Sequence, residues 1–256
     1  MAATVPFDLP DDRLAGRVAV ITGASRGLGA GLAERFVEHG LAVGLCARSV
    51  PALPDEATGV VASVDVTHAT AVDDFAARVV AELGPIDLWV NNAGVLEPIG
   101  PARRVDPDEA ARALAVNVGG VLHGTAAFCR HRREVGPGGV LVNISSGAAR
   151  SVYEGWSVYG ATKAAVDHLT EIVAVEEPEV ACHAVAPGVV DTEMQATIRD
   201  QHPRAFPAVD RFHEIHRSGA WNSPRWVADH LLAILAGTLR PDDVVYRVPA
   251  EPPSGA

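Results

Sequence analysis

The stretch from Arg17 to Val37 restricts the fold more than any other. Arg17-Val18-Ala19-Val20-Ile21-Thr22 is a short apolar run that reads as a buried strand. Gly23-Ala24-Ser25-Arg26-Gly27-Leu28-Gly29 follows at once, and beyond it Leu28, Leu32 and Phe36 recur at every fourth position, with Ala33 and Val37 beside them. That is the one-sided stripe of an amphipathic helix. A strand, a glycine-rich turn and a helix in immediate succession form the first half of a dinucleotide-binding unit. The glycines let the backbone approach a pyrophosphate, and the helix N-terminus offers it free N–H groups and a positive dipole end.

The same alternation continues down the chain. Leu41–Cys46, Gly59–Val64, Ile86–Val90, Gly139–Ile144, Val180–Ala186 and Val244–Val248 read as further strands. Pro51 and Pro54 exclude a long helix between the second and third. Val72, Phe75, Ala76, Val79 and Leu83 make a second helical stripe, a long helix is expected from Glu109 through Phe128, and another from Arg225 to Leu235. The pattern predicts an α/β fold, one doubly wound domain over residues 14–250 with a parallel seven-stranded sheet and helices on both faces. Residues 1–13, acidic and proline-punctuated, are expected to be a flexible extension unlike a signal peptide, and residues 251–256 a disordered tail. Asp191 to Trp226 is rich in His, Arg and Pro with weak periodicity, so a flexible substrate flap is expected at about 191–223.

Composition sets the outer bounds. The chain has 256 residues, 48% of them hydrophobic and only 5% aromatic, which suits packed helix–sheet layers. The formal net charge is −11 without a basic cluster, which argues against nucleic acid or anionic membrane as a partner. No apolar run reaches the ~18 residues of a membrane span. Cys46, Cys129 and Cys182 are odd in number and widely spaced, so they read as small core residues rather than as metal ligands or a disulfide framework. A soluble cytoplasmic protein without a metal site is expected.

Ligands of doubly wound sheets sit beyond the strand C-termini. Gly23, Arg48, Asp65, Asn92 and Ser146 all follow predicted strand ends, so they converge on one edge. The residue ending the second strand governs the choice of nicotinamide cofactor, because an acid there bonds the adenosine ribose and repels a 2′-phosphate. Ala47 takes that place, followed by Arg48 and Ser49, and Arg26 lies in the glycine turn. Two arginines and no carboxylate favour NADP(H). Tyr159 and Lys163 stand four residues apart, on one face of a helix. A neighbouring ammonium lowers the pKa of a phenol and tunes it for proton transfer. Lys163 is the sole lysine among 21 Lys and Arg, so a cation with a compact, titratable head is reserved for this position. Asn117 falls inside a predicted helix, where its propensity is poor and it competes with the backbone.

Thr22-Gly23-Ala24-Ser25-Arg26-Gly27-Leu28-Gly29, Asn91-Asn92-Ala93-Gly94, Asn117, Ser146, Tyr159-x-x-x-Lys163 and Pro187-Gly188 occur in the order and approximate spacing of the short-chain dehydrogenase/reductases, and the chain resembles a classical member from about Leu14 to Val248. The resemblance implies a Rossmann fold and an NADPH-dependent carbonyl reductase. Tyr159 would exchange a proton with the substrate oxygen. Lys163 would hold the nicotinamide ribose and depress the Tyr159 pKa, Ser146 rather than Ser145 would orient the carbonyl, and Asn117 would hold a water continuing the proton path. Gly23, Ser25, Gly27, Leu28 and Gly29 would cradle the pyrophosphate, and Arg26 would face the 2′-phosphate. Arg48 would face the 2′-phosphate, Asp65 and Val66 the adenine, and Asn92, Ala93 and Gly94 the adenosine ribose. Pro187, Val190 and Thr192 would flank the carboxamide. Gly155-Trp156-Ser157-Val158-Tyr159 and Asp191-Thr192-Glu193-Met194-Gln195 further resemble the sepiapterin reductase and benzil reductase group, which implies a ketone or vicinal dicarbonyl substrate. An NAD(P)-linked alcohol dehydrogenase working oxidatively and a non-catalytic NADP(H)-binding regulator are the alternatives. The family also implies a homodimer or homotetramer built through the helix that carries Lys163.

Overall fold

The alternation of apolar runs and helical stripes becomes seven parallel strands in the computed structural model, which describes residues 7–253. In chain order the elements are α1 (Asp11–Leu14), β1 (Val18–Thr22), α2 (Gly27–Glu38), β2 (Ala42–Ala47), β3 (Gly59–Ser63), α3 (Ala69–Leu83), β4 (Ile86–Asn91), α4 (Pro107–Leu114), α5 (Gly120–Val135), β5 (Val140–Ile144), α6 (Ser157–Glu176), β6 (Ala181–Ala186), α7 (Glu193–Arg199), α8 (Val209–Ser218), α9 (Pro224–Ala236) and β7 (Val245–Arg247). The sheet order is β3-β2-β1-β4-β5-β6-β7, with every neighbouring pair parallel. The order reverses between β1 and β4, and that switch opens a crevice at the C-terminal edge.

Alternate residues of each strand feed two separate cores. Ala19 and Ile21 of β1, Val43 and Leu45 of β2, and Val140 and Val142 of β5 pack under Leu32 and Phe36 of α2 and the apolar length of α9. Val18, Val20 and Leu141 face the other way, against Phe75 and Val79 of α3 and Phe128 of α5. Each such Phe, Leu or Val withdrawn from water contributes roughly 1.5–3 kcal/mol. The three cysteines lie buried in the second core, and burial pushes the thiols of Cys46 and Cys182 up to about 12 and that of Cys129 to about 11. Among the described residues, no helix is long and apolar enough to cross a membrane.

Local chemistry sets the element ends. The Asp106 carboxylate caps α4 by accepting from the N–H groups of Asp108 and Glu109, with Pro107 in the first turn. Ser223 caps α9 by accepting from Trp226 N at 3.0 Å, and Gly237 closes that helix in the left-handed conformation.

Three expectations need correction. The helix expected over Glu109–Phe128 begins earlier, runs to Val135, and is broken by a π-helical turn at Ala115–Gly119 that holds Asn117. Asp191 to Trp226 contains two helices, α7 and α8, whose Ile198, Val209 and Phe212 are buried together with Phe206. Pro203 and Pro207 cut the segment into pieces too short for a clear period. The tail expected from Glu251 is held at its first residue: Glu251 N donates to Asn222 Oδ1 at 2.7 Å, and its carboxylate accepts from Ser223 N at 2.5 Å. In the N-terminal extension, Asp8 O accepts from Thr238 Oγ1 at 2.8 Å and Arg13 donates to Ala236 O. Residues 1–6 and 254–256, the outer parts of the expected extension and tail, lie outside the described residues.

Candidate active site

The parallel sheet delivers every candidate residue to one edge. β1 ends at Thr22 and leads into the turn Gly23 to Gly29, which passes into α2. A Cβ at Gly23, whose φ is +66°, would lie 2.7 Å from Ala93 Cα, and one at Gly29 would collide with the Gly23 carbonyl and the Asn92 side chain. Only glycine fits where these two loops touch, and the result is a bare backbone cradle at a helix N-terminus. Asn92 locks the contact by donating through Nδ2 to Thr22 O at 2.9 Å and Gly23 O at 3.1 Å. Thr22 Oγ1 accepts from Asn92 N at 3.0 Å and from Ala93 N at 3.1 Å. Ser25, Arg26 and Gly27 are exposed on the cradle and Leu28 is half-buried behind them. Thr192 leans against Gly27, so the β6 loop forms the other wall.

Arg48 follows β2 on the same edge and is exposed, while Ala47 before it is buried. The Arg26 guanidinium is paired with the Glu193 carboxylate. Asp65 Oδ1 accepts from Thr67 N at 2.9 Å and Thr67 Oγ1 at 2.8 Å; these bonds, with a smaller contribution from Arg48, hold its carboxyl below the usual range. Val66 is buried against Gly120, and its carbonyl meets His123 Nδ1 at 2.8 Å. Beyond β6, Pro187 O accepts from Asn222 Nδ2 at 2.8 Å and Val190 pairs with Asn222.

Tyr159 and Lys163 lie on the first turns of α6, both buried, with Lys163 Nζ 5.8 Å from the Tyr159 ring centroid. Nζ donates to Ile144 O at the end of β5, at 2.8 Å. Gly94 brings the β4 loop against the same group: a Cβ there would stand 3.7 Å from Lys163 Nζ and 3.3 Å from Asn117 Oδ1. Ser146 follows β5, half-buried, and its hydroxyl bonds the Tyr159 hydroxyl and accepts from Ala148 N at 3.2 Å.

Burial decides the electrostatics. Loss of solvent pushes the Tyr159 phenol up, only partly opposed by Ser146, and pulls Lys163 down to about 8 despite the nearby Asp167 carboxylate. A Tyr159 pKa depressed by Lys163 is therefore not what this arrangement produces: desolvation dominates, and the opposing influence is the Ser146 hydrogen bond. The Asn117 side chain is saturated by protein partners. Its Oδ1 accepts from Val95 N at 2.8 Å, and Nδ2 donates to Val95 O at 2.8 Å and Thr162 Oγ1 at 3.1 Å. Both amide hydrogens are committed, so the side chain staples the β4 loop to α6.

Four positioning residues receive no role from the sequence: Thr22 and Trp156 stand inside recognised motifs, Asn222 and Asp167 in none. Thr22 and Asn222 fasten the cofactor-side loops through the bonds above. Asp167, one turn beyond Lys163 and buried, accepts from Ser145 Oγ and faces Arg150 at 3.8 Å. Trp156 sits one turn before Tyr159, ring centroids 5.5 Å apart.

A glycine cradle at the switch in strand order, beside a half-buried Ser and a buried Tyr and Lys, defines a dinucleotide-dependent oxidoreductase. The short chain dehydrogenase family model matches residues 17–203. Benzil reductase ((S)-benzoin forming) of Bacillus cereus is 30% identical over 246 residues, covering 91% of this chain and 99% of the relative. 3beta-hydroxysteroid dehydrogenase 2 of Eggerthella lenta is 34% identical over 203 residues, covering 75% of this chain and 78% of the relative. Among solved structures, the KRED1-Pglu enzyme superposes with a TM-score of 0.82 at 32% identity, covering 89% of this chain and 98% of that one. The chain belongs to the short-chain dehydrogenase/reductase family, whose members are oxidoreductases acting on CH–OH or C=O groups with NAD or NADP.

Proposed function

We propose that this protein is an NADPH-dependent carbonyl reductase acting on ketones or vicinal dicarbonyls. The observation that carries the reading is the meeting of Ser146, Tyr159 and Lys163 beside a cradle that only glycine backbone can line. NADPH, when bound, supplies the hydride. Gly23 to Gly29 hold its pyrophosphate on the N-terminus of α2. Arg48 meets the 2′-phosphate, because Ala47 leaves no carboxylate to repel it, and Arg26 joins on release from Glu193. Asp65 and Val66 border the adenine, Asn92 to Gly94 the adenosine ribose, and Pro187, Val190 and Thr192 the carboxamide. Ser146 orients the substrate carbonyl by donating to its oxygen. Tyr159, kept protonated at neutral pH by burial, gives that oxygen its proton as the hydride reaches the carbon. Lys163 holds the nicotinamide ribose and stabilises the phenolate left behind.

The benzil reductase relative supports the dicarbonyl class, and the steroid dehydrogenase relative supports oxidation of an alcohol by the same groups in reverse. Exposed apolar side chains on α4, α5 and α6 (Leu114, Leu122, Ile172 and Val175) support a homodimer or homotetramer. Three buried, unpaired cysteines support a cytoplasmic location. The test is NADPH absorbance loss with a panel of aryl ketones, vicinal diketones and simple aldehydes. Turnover of diketones that disappears in Tyr159→Phe is expected; no turnover of any carbonyl compound overturns the reading.

A further inference from the structure

The end of β5 grips two successive turns of α6. Ile144 O accepts from Lys163 Nζ at 2.8 Å, and the next residue, Ser145, donates through its hydroxyl to Asp167. Asp167 stands four residues beyond Lys163, so the two side chains rise from one face of the helix, one turn apart. Both are buried, at 6% and 5% exposure. A carboxylate taken out of water is costly unless it is paired. The Ser145 hydroxyl gives it a hydrogen bond but no charge, and a side-chain amide would accept that bond equally well. Packing alone therefore does not explain an acid at this position.

The charged groups around the pair come from several elements. On α6 itself, Tyr159 precedes Lys163 and Glu171 follows Asp167, each by one turn. From the turn after β5, Arg150 stands 3.8 Å from the carboxylates of Asp167 and Glu171. Asp243, before β7, lines a cavity of about 290 Å³ with Arg150 and Glu171, and Arg247 of β7 lies over Gly147. The His183 ring on β6 is bonded to the backbone of Val244 and Asp243, and burial pulls its pKa down, so it is neutral. On α4, Asp108, Glu109 and Arg112 are exposed. The β4 loop and the π-helical turn bring only Gly94 and the Asn117 amide to Lys163. Arg150 and Glu171 are open to solvent, which screens them. Among the described residues, Asp167 is the counter-charge that shares the buried space with Lys163. Burial pulls the ammonium down to about 8, opposed by Asp167; it pushes the carboxyl up, opposed by Ser145, then Arg150 and, least, Lys163.

We infer that Asp167 is a positioning residue for Lys163, its carboxylate holding the neighbouring ammonium in the charged form that a Tyr159 phenolate and a nicotinamide ribose require. The consequence for catalysis deepens the proposed reductase reading and rests on it; the ion pair does not. Opposite charges about 4–6 Å apart move a pKa by roughly 1–3 units. One helical turn places the pair toward the far end of that distance, so the carboxylate is worth about one unit. With it, most of Lys163 is charged at neutral pH; without it, about half is.

Asp167→Asn keeps an acceptor for Ser145 and removes only the charge. Because Lys163 is the sole lysine, protein made with lysine labelled with ¹³C at Cε gives a single lysine signal, whose titration is read without turnover. Its midpoint should fall from about 8 to about 7 in Asp167→Asn. An unchanged midpoint shows a carboxylate that only packs, and overturns the inference. If the variant does not fold, the unmodified protein still decides. Its assigned Asp167 carboxyl resonance should move with the Lys163 midpoint, and a carboxyl signal blind to the loss of the ammonium overturns the inference as well. In turnover of a vicinal diketone, the kcat/KM lost in Asp167→Asn should be about fivefold larger at pH 8 than at pH 6, following the charged fraction of Lys163. A loss equal at the two pH values, or none at either, overturns the positioning role. A midpoint that moves as expected in a protein that reduces no carbonyl compound sinks the reductase reading and leaves the ion pair standing.

Discussion

Replacing Lys163 with Met should make the protein more stable while abolishing its proposed activity. Lys163 is the sole lysine of the chain, 5% exposed, and burial pulls its ammonium from 10.5 to about 8. At 1.36 kcal/mol per pH unit, keeping that charge in the fold costs about 3 kcal/mol at neutral pH. Methionine fills much of the same volume and carries no charge. It also leaves Ile144 O without its 2.8 Å donor, an unmade bond that costs about 1–2 kcal/mol. The net gain expected at pH 7 is therefore about 1–2 kcal/mol, or roughly 2–8 °C in Tm for a chain of this size. A group with a depressed folded pKa contributes stability that is present above its unfolded value and lost as pH falls through the folded one. The unmodified protein therefore gains on the variant between about pH 8 and 10.5, and the advantage of Lys163→Met should shrink over that window until only the lost Ile144 bond remains. Urea midpoints at pH 7, 8.5 and 10, taken at one protein concentration because assembly would shift them, provide the assay. A Lys163→Met protein less stable than the original at pH 7, or a difference that does not change with pH, would refute the reasoning.

Tyr159→Phe should lower turnover roughly 10²–10⁴-fold while NADPH still binds by fluorescence titration. Because burial pushes Tyr159 up and brings Lys163 to about 8, the basic limb of kcat/KM should fall near pH 8 as Lys163 loses its charge, and the residual activity of Tyr159→Phe should keep that limb. Ala47→Asp combined with Arg48→Ala should reverse a preference for NADPH over NADH, since a charge-assisted phosphate contact is worth about 1.5–3 kcal/mol; equal affinities in the unmodified protein would remove the basis for it. Ser146→Ala should mainly lower turnover, whereas Ser145→Ala, which strips a donor from the buried Asp167, should mainly lower the unfolding midpoint.

The fold was legible because its signals are local. Each strand is an apolar run, most of them bounded by Gly, Pro or Asp, and the observed limits of all seven differ from those read in the sequence by no more than one residue at either end. The convergence of motifs on one edge follows from topology, since every connection between parallel strands returns the chain to the same end. The unread features depend on partners distant in sequence. Asn117 lies in a π-helical turn and clamps Val95, 22 residues away, and Asn222 holds the Pro187 loop from 35 residues away. The spacing of Tyr159 and Lys163 announced a coupled pair, but the direction of the phenol's shift depended on burial, which spacing does not carry. Arg26 reads as a phosphate ligand from its place in the glycine turn, and nothing near it in the sequence announces that Glu193 occupies its guanidinium.

That division between local and distant signals also separates the parts of the proposed chemistry. The family match ends at residue 203, after β6 and α7, and takes in the cradle, Ser146, Tyr159 and Lys163. Phe206 and Phe212, which pack against Trp156, lie beyond it. Groups that handle a nicotinamide and a proton face the same task whatever the ketone, so they sit where the sheet fixes them. Groups that recognise the rest of the substrate can vary only where the backbone is not tied to the sheet. The benzil reductase and hydroxysteroid dehydrogenase relatives, about equally identical to this chain, accordingly carry names with different substrates. Substrate preference in this protein should therefore respond to exchange of residues 201–221 between relatives, with cofactor affinity little changed. If such an exchange left the preference intact, the determinants would have to lie on the fixed side, at Trp156 and the loop after β4.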